Sequence, residues 1–263
     1  ALDRFDVGVT LYFSACDTAQ ERVCAISETP PGAAVVSFEA TLARDPTFPL
    51  GTTGAYRVTL TNRRGAGSAS YPVELTYGGA LGRMAFVVPT TRAGGTERHV
   101  LPFQFQATGS EPATDRRLAR WGDIGSSTWY DHAAGTLRTP TSSESFDVAC
   151  AGCHVNGYSL DGSAATGFFA HAVATPAGAF DYDLDGRLEE MGIGCEGCHG
   201  AGSEHVAASG RGVAIVSPGL TTPERETAIC GSCHGRAIGH IAGAGAPLDV
   251  DGHMPRPGLR RSE

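Results

Sequence analysis

The chain has 263 residues, a formal net charge of −8 and 41% hydrophobic residues, which leaves room for one large or two modest domains. With a sequence pI near 5.6, the acidic balance argues against nucleic acid and against an anionic membrane as partners. No apolar run approaches the length of a membrane span, and no signal sequence is visible.

The first 112 residues read as strands. Candidates in chain order are Val7 to Phe13, Ala33 to Ala43, Gly54 to Asn62, Tyr71 to Gly79, Arg83 to Pro89 and Arg98 to Gln106. Two of these alternate clearly, through Tyr56, Val58 and Leu60 and through Val73, Leu75 and Tyr77. Short alternating runs separated by Gly- and Asn-rich turns predict a small antiparallel, sandwich-like β domain over residues 1–112. Cys16 and Cys24 fall in this part, and a disulfide closing that small loop is the expected pairing. A reactive thiol is the alternative.

From about residue 113 the texture changes. Arg116 to Thr136, "RRLARWGDIGSSTWYDHAAGT", reads as a polar, Trp-bearing connection, and the chain beyond it is rich in Gly and Ala. Three pentads stand out there: Cys150-Ala151-Gly152-Cys153-His154, Cys195-Glu196-Gly197-Cys198-His199 and Cys230-Gly231-Ser232-Cys233-His234. C-x-x-C-H is the attachment signal for c-type haem. Residues i and i+3 of a helical turn share a face, so both sulfurs reach the two vinyl groups of one porphyrin. The next residue, His, then binds the iron from the proximal side. A zinc site uses paired motifs without a fixed His after each, and a redox C-x-x-C is expected once on a βαβ unit. Three repeats account for six of the eight cysteines.

Three covalent haems are therefore expected, with His154, His199 and His234 as proximal ligands. Gly and Ala alone bury little, so the haems themselves are expected to form the core of residues 113–263. That gives a mostly irregular, short-helix triheme c-type cytochrome domain after the N-terminal all-β domain. Covalent attachment also implies export, to the extracellular space or cell surface or otherwise the periplasm. A start at Ala1 suits a processed chain, and the lack of Cys at position 1 makes a lipid anchor there unexpected.

Each motif is followed by one further histidine. His205 and His240 each lie six residues after the proximal His, and His171 follows the first motif at a longer distance. Three six-coordinate irons need three distal ligands, and these residues match the number. Six residues give little room to travel round a porphyrin, so each is expected to reach a neighbouring haem. His253, His132 and His99 are the reserves, His99 on a strand where a packed histidine is usual. Met84, Met191 and Met254 are weaker alternatives.

The run Cys150 to Arg236, with "CAGCHVNGY", "CEGCHGAGSEH" and "CGSCHGR", resembles a large group of bacterial multihaem c-type cytochromes. Their pattern is C-x-x-C-H, then C-E-x-C-H-G-P-G-S-x-H, then C-x-x-C-H. The similarity is strong over about the last 115 residues, and Tyr71 to Val88 with His99 to Gln106 resembles the strand segment preceding the haems in that group. The resemblance implies electron transfer through closely stacked, mostly bis-His haems in periplasmic or extracellular proteins, cytochrome wires among them. It also implies that His205 is a distal ligand. This chain departs from the pattern at Ile193, which replaces Val, at Ala201, which replaces Pro, and in having three haem motifs where relatives often have four or more.

Electron transfer, not enzymatic turnover, is therefore expected. A monomeric shuttle and a multihaem reductase with one open haem are the alternatives. Redox partner proteins or an extracellular acceptor are implied, and the haem-free β part suggests head-to-tail self-association into a filament.

"DYDLDGRLEE" sets Asp181, Asp183 and Asp185 at alternating positions before Gly186, as in the first half of a calcium loop. Gly192 stands where that loop needs Glu, leaving Glu189 or Glu190 to complete a Ca2+ site. A solvated acidic turn is the alternative. If calcium binds, Asp183→Ala lowers the melting temperature in calcium but not in chelator. Equal melting with and without calcium for the unsubstituted protein removes the site.

Overall fold

The computed structural model describes residues 8–17, 23–32, 35–50, 54–78, 82–92, 95–109, 118–155, 159–163, 165–171, 194–200, 202–211 and 215–223, with 114, 226, 229 and 230. It divides into two compact units, one of residues 1–91 and 98–141, the other of residues 92–97 and 142–263.

In the first unit, β1 (Val9–Asp17), β2 (Val23–Ser27), β3 (Val36–Arg44), β4 (Tyr56–Asn62) and β5 (Ser68–Pro72) form one sheet in the order β2-β1-β3-β4-β5. Strict alternation in β4 buries Tyr56, Val58, Leu60 and Asn62 and turns Arg57, Thr59 and Thr61 outward. Register across this sheet follows that alternation, since a slip of one residue would expose every inward side chain. The outward face carries a row of hydroxyls, Thr10 opposite Thr41, Thr41 opposite Thr59 and Thr59 opposite Ser70.

A second sheet has the order β6-β7-β8-β9, from β6 (Leu75–Gly78), β7 (Arg83–Arg92), β8 (Gly95–Gln106) and β9 (Trp121–Asp123). Its inner side chains share one core with the first sheet. Phe13 stacks on Phe38 with ring centroids 4.1 Å apart, and Phe103 joins them from β8 at 6.4 Å from Phe13. Full burial of each such ring stabilises by roughly 1.5–3 kcal/mol.

The expected division into a β domain and an irregular, short-helix cytochrome domain is corrected here. Among the described residues strand outweighs helix, 46% against 19%, and no distinct helical domain forms. Two physical reasons stand behind the difference. The stretch read as a polar connection carries Trp121 and Trp129, both fully buried. Trp121 sits in β9 and donates to Glu28 at 2.6 Å, while Trp129, on the single turn α1 (Ser126–Trp129), donates to the Val100 carbonyl at 2.7 Å. Two short strands, β10 (Tyr130–Asp131) and β11 (Thr136–Leu137), follow within the same unit.

The second reason is a hairpin whose strands carry Leu160, Phe168 and Phe169 among the small residues. In the second unit β12 (Ser159–Ser163) and β13 (Gly167–His171) form an antiparallel hairpin, with Gly162 and Gly167 at positive φ. Among its described helical segments α2 (Phe146–Ala149), α3 (Ala151–His154), α4 (Glu196–His199) and α5 (Ser203–Ala207) are single turns. Among the described residues no helix is long and apolar enough to cross a membrane.

The Cys16–Cys24 disulfide is formed, joining β1 to β2. Beside it, the buried Asp123 carboxylate accepts from Cys24 N at 2.6 Å, Gly125 N at 2.9 Å, and the Ser126 amide and hydroxyl at 2.9 and 2.6 Å. Burial pushes this carboxyl above the ordinary range, and the same hydrogen bonds oppose the shift. Asp123→Ala leaves those donors without their acceptor and is expected to cost about 2–4 kcal/mol. Asp123→Asn, which keeps an acceptor, costs less. Thermal melts of the two variants read the difference, and equal melting temperatures would contradict it.

Candidate haem-attachment site

The first motif is entered from a capped turn. Ser145, buried, accepts from the Val148 amide at 3.2 Å and so caps α2, as Ser does at a helix start. The backbone breaks at Cys150 and a second turn, α3, begins. There the Cys150 carbonyl accepts from both Cys153 N at 3.0 Å and His154 N at 3.1 Å. Buried Phe146, Ala151 and Val155 seat the two turns.

The second motif repeats that geometry. The Cys195 carbonyl accepts from Cys198 N at 3.2 Å and His199 N at 2.9 Å. Cys195 and Cys198 are exposed thiols, one helical turn apart on one face. In both motifs, then, the first cysteine's carbonyl sets the second cysteine and the histidine.

His199 is further fixed by a two-point clasp. Its carbonyl accepts from Val216 N at 3.0 Å, and its ring Nδ1 lies 2.7 Å from the Val216 carbonyl. A carbonyl only accepts, so Nδ1 carries the proton and Nε2 keeps its lone pair. A metal-binding imidazole needs that tautomer, and this is the usual means of setting it. Thiol pair and tautomer both fit a covalent haem c at Cys195, Cys198 and His199.

The loop closed by this clasp contains His205, on α5. Its Nδ1 is buried without a hydrogen-bond partner among the described residues, and Nε2 lies beside Gly210. His171 ends β13 opposite Ser159, and β13 lies against α2. The hairpin thus returns the His171 backbone toward the turns that carry the first motif. Of the third motif only Cys230 falls among the described residues, as an exposed thiol. Cys233, His234, His240, His253, Met191, Met254 and the acidic residues Asp181, Asp183, Asp185, Glu189 and Glu190 lie outside them.

Two reserves are otherwise engaged. His99 is buried in β8, its Nδ1 2.9 Å from the Thr90 hydroxyl and its Nε2 3.2 Å from the Thr141 carbonyl. Both ring nitrogens serve the β core, so His99 drops out as a spare ligand. His132 packs edge-on against Tyr130 and lies at the Cys16–Cys24 disulfide. Met84 packs against the hydrophobic core of the first unit.

Sequence reasoning missed Val216, whose part is played by its backbone and leaves no residue-type signal. It held His132 in reserve as a distal haem ligand; the cysteines that lie near it are Cys16 and Cys24. No protein family, no curated protein and no solved structure matches the chain.

Gly200, directly after His199, has φ +73° and faces Val216. Gly200→Ala places a Cβ in that left-handed conformation, costing about 1–2 kcal/mol. The expected result is faster hydrogen exchange at the Val216 amide, and unchanged exchange would show that the clasp does not depend on Gly200.

Proposed function

We propose that the chain is an electron-transfer protein carrying three covalent c-type haems, at Cys150/Cys153/His154, Cys195/Cys198/His199 and Cys230/Cys233/His234. The observation that carries this reading is the threefold C-x-x-C-H repeat, with both motifs that are described through their histidine built on the same turn around the first cysteine's carbonyl. Haem c supplies a one-electron couple when bound. The chain's own residues tether it through the thiol pairs and present a fixed imidazole from the proximal side. The Val216 carbonyl holds the His199 ring by its Nδ1 proton and leaves Nε2 as the nitrogen for the iron.

His205, His171 and His240 are the proposed distal ligands, with His253 the remaining reserve and six-coordinate iron at every haem. Such iron favours electron transfer over turnover, which needs an open position. The proposed setting is exported, extracellular or at the cell surface and otherwise periplasmic, with redox proteins or an extracellular acceptor as partners. Head-to-tail contact between copies is the proposed assembly, because three haems span only a short distance. A calcium ion at Asp181, Asp183 and Asp185 remains part of the proposal.

The test begins with protein from a host that matures c-type cytochromes. Intact mass and the pyridine haemochrome spectrum should give three haems per chain, and Cys195→Ala/Cys198→Ala two. The reduced spectrum should be low-spin and unchanged by carbon monoxide. Absence of covalent haem overturns the reading, while rapid carbon monoxide binding at one haem turns it to a reductase. Light scattering on the same material separates assembly from a monomeric shuttle.

A further inference from the structure

The disulfide of the first unit has a neighbour that a structural staple does not need. Cys16 Sγ, Cys24 Sγ and a ring nitrogen of His132 all lie within 4.8 Å of one another. We propose that reduction of Cys16–Cys24 turns this place into a binding site for one zinc-class cation, with two thiolates and one imidazole as protein ligands. The proposal is independent of haem attachment, since none of the three residues belongs to a C-x-x-C-H motif.

Geometry supports it first. Tetrahedral zinc, with bonds of about 2.3 Å to sulfur and 2.0–2.1 Å to nitrogen, sets neighbouring donors roughly 3.4–3.8 Å apart. Three donors already within 4.8 Å of one another reach that spacing through side-chain rotation once the S–S bond is open. The backbone stays in place because the disulfide is not alone in joining the strands. Ser14 pairs with Ala25 and Asp17 with Val23, the ladder irregularity falling between Ser14 and Asp17. Cys16 sits in that irregularity and Cys24 lies across from it, so the two sulfurs still face each other after reduction.

Surroundings support it second. Cys24 is fully buried, while Cys16 and His132 are half-buried, which gives a dry inner ligand and an approach from solvent. Cys24 Sγ lies 3.3 Å from the Ser126 hydroxyl, and that hydroxyl donates to Asp123 at 2.6 Å. Cys24 N donates to the same carboxylate. A buried ligand thus has its backbone and its outer neighbour both held by Asp123, the kind of supporting shell that fixes metal ligands. Two thiolates neutralise a divalent cation, and soft sulfur donors select zinc or copper(I) over magnesium or calcium.

The reaction has two steps. A dithiol reductant transfers two electrons and two protons to the disulfide, giving two Cys thiols and the reductant's own disulfide. The cation then displaces both thiol protons to solvent as two metal–sulfur bonds form, and the imidazole adds as a neutral ligand. Water fills the fourth position.

The experiment uses the full chain, haem-loaded where haem attaches, reduced with a phosphine and freed of it under anaerobic conditions. Zinc is added, and binding is read by native mass spectrometry and calorimetry. One equivalent should bind to the reduced protein beyond any bound by the oxidised protein. His132→Ala should weaken that equivalent by more than about tenfold, and Cys16→Ser/Cys24→Ser should abolish it. Equal binding by oxidised and reduced protein overturns the site, as does zinc affinity unchanged in His132→Ala. Thiols of haem motifs left without haem also bind zinc, but that binding survives Cys16→Ser/Cys24→Ser and so does not mimic the proposed site. Should the double variant fail to fold, His132→Ala, which alters a half-buried side chain and leaves the disulfide intact, decides alone.

Discussion

Asp123 holds the first unit together at a point where two sheets end. It sits on the edge strand of the four-stranded sheet and accepts from the amide of Cys24, on the edge strand of the five-stranded one. The same carboxylate receives the first amides of the turn α1, which delivers Trp129 to the core. Removing a buried acceptor with several donors aimed at it costs the desolvation of each. Sheet edge, disulfide and aromatic core therefore share one dependency. That is why the β unit extends past residue 112: the strand that completes its second sheet, and the carboxylate that ties the sheets, both lie beyond that point.

The second unit is organised on a smaller scale. Among its described residues the regular structure is mostly single turns and one hairpin, and single turns have little stability of their own. What fixes them is local: a Ser145 cap, a carbonyl that accepts two amides, and a clasp between His199 and Val216. Such turns need outside packing, and the described part of the unit supplies only a few buried apolar side chains, Phe146, Ala151, Val155 and Ile229 among them.

How far the sequence is legible depends on whether a signal lives in side chains. Alternation in Tyr56, Val58 and Leu60 is a side-chain signal, and β4 runs Tyr56–Asn62. The run from Tyr71 to Gly79, read as one strand, is two, β5 and β6, which belong to different sheets. The chain crosses between layers at Val73 and Glu74, and no alternation marks a crossing. Strand β2, whose Val23, Ala25 and Ser27 are half-buried on an edge, carried too little contrast to be read. The C-x-x-C-H motifs are the opposite case, legible because chemistry fixes residue type as well as spacing. Backbone partners such as the Val216 carbonyl stay hidden, because any residue offers one.

The described cysteines divide by backbone geometry into two chemistries. In a helical turn the sulfurs of residues i and i+3 point the same way and outward, and Cys195 and Cys198 are exposed accordingly. A third body can then bridge them. Across a β ladder two cysteines point at each other, and Cys16 and Cys24 are joined directly. The separation has a use during folding. Disulfide exchange needs a thiolate with access to the sulfur it attacks, and Cys24 is fully buried while Cys195, Cys198 and Cys230 are exposed and Cys150 and Cys153 half-buried. The β unit therefore protects its own pair from exchange with the motif thiols. What leaves Cys16 and His132 half-buried at the same place also leaves that pair open to a small reductant, so the staple is guarded on its Cys24 side and addressable from the other.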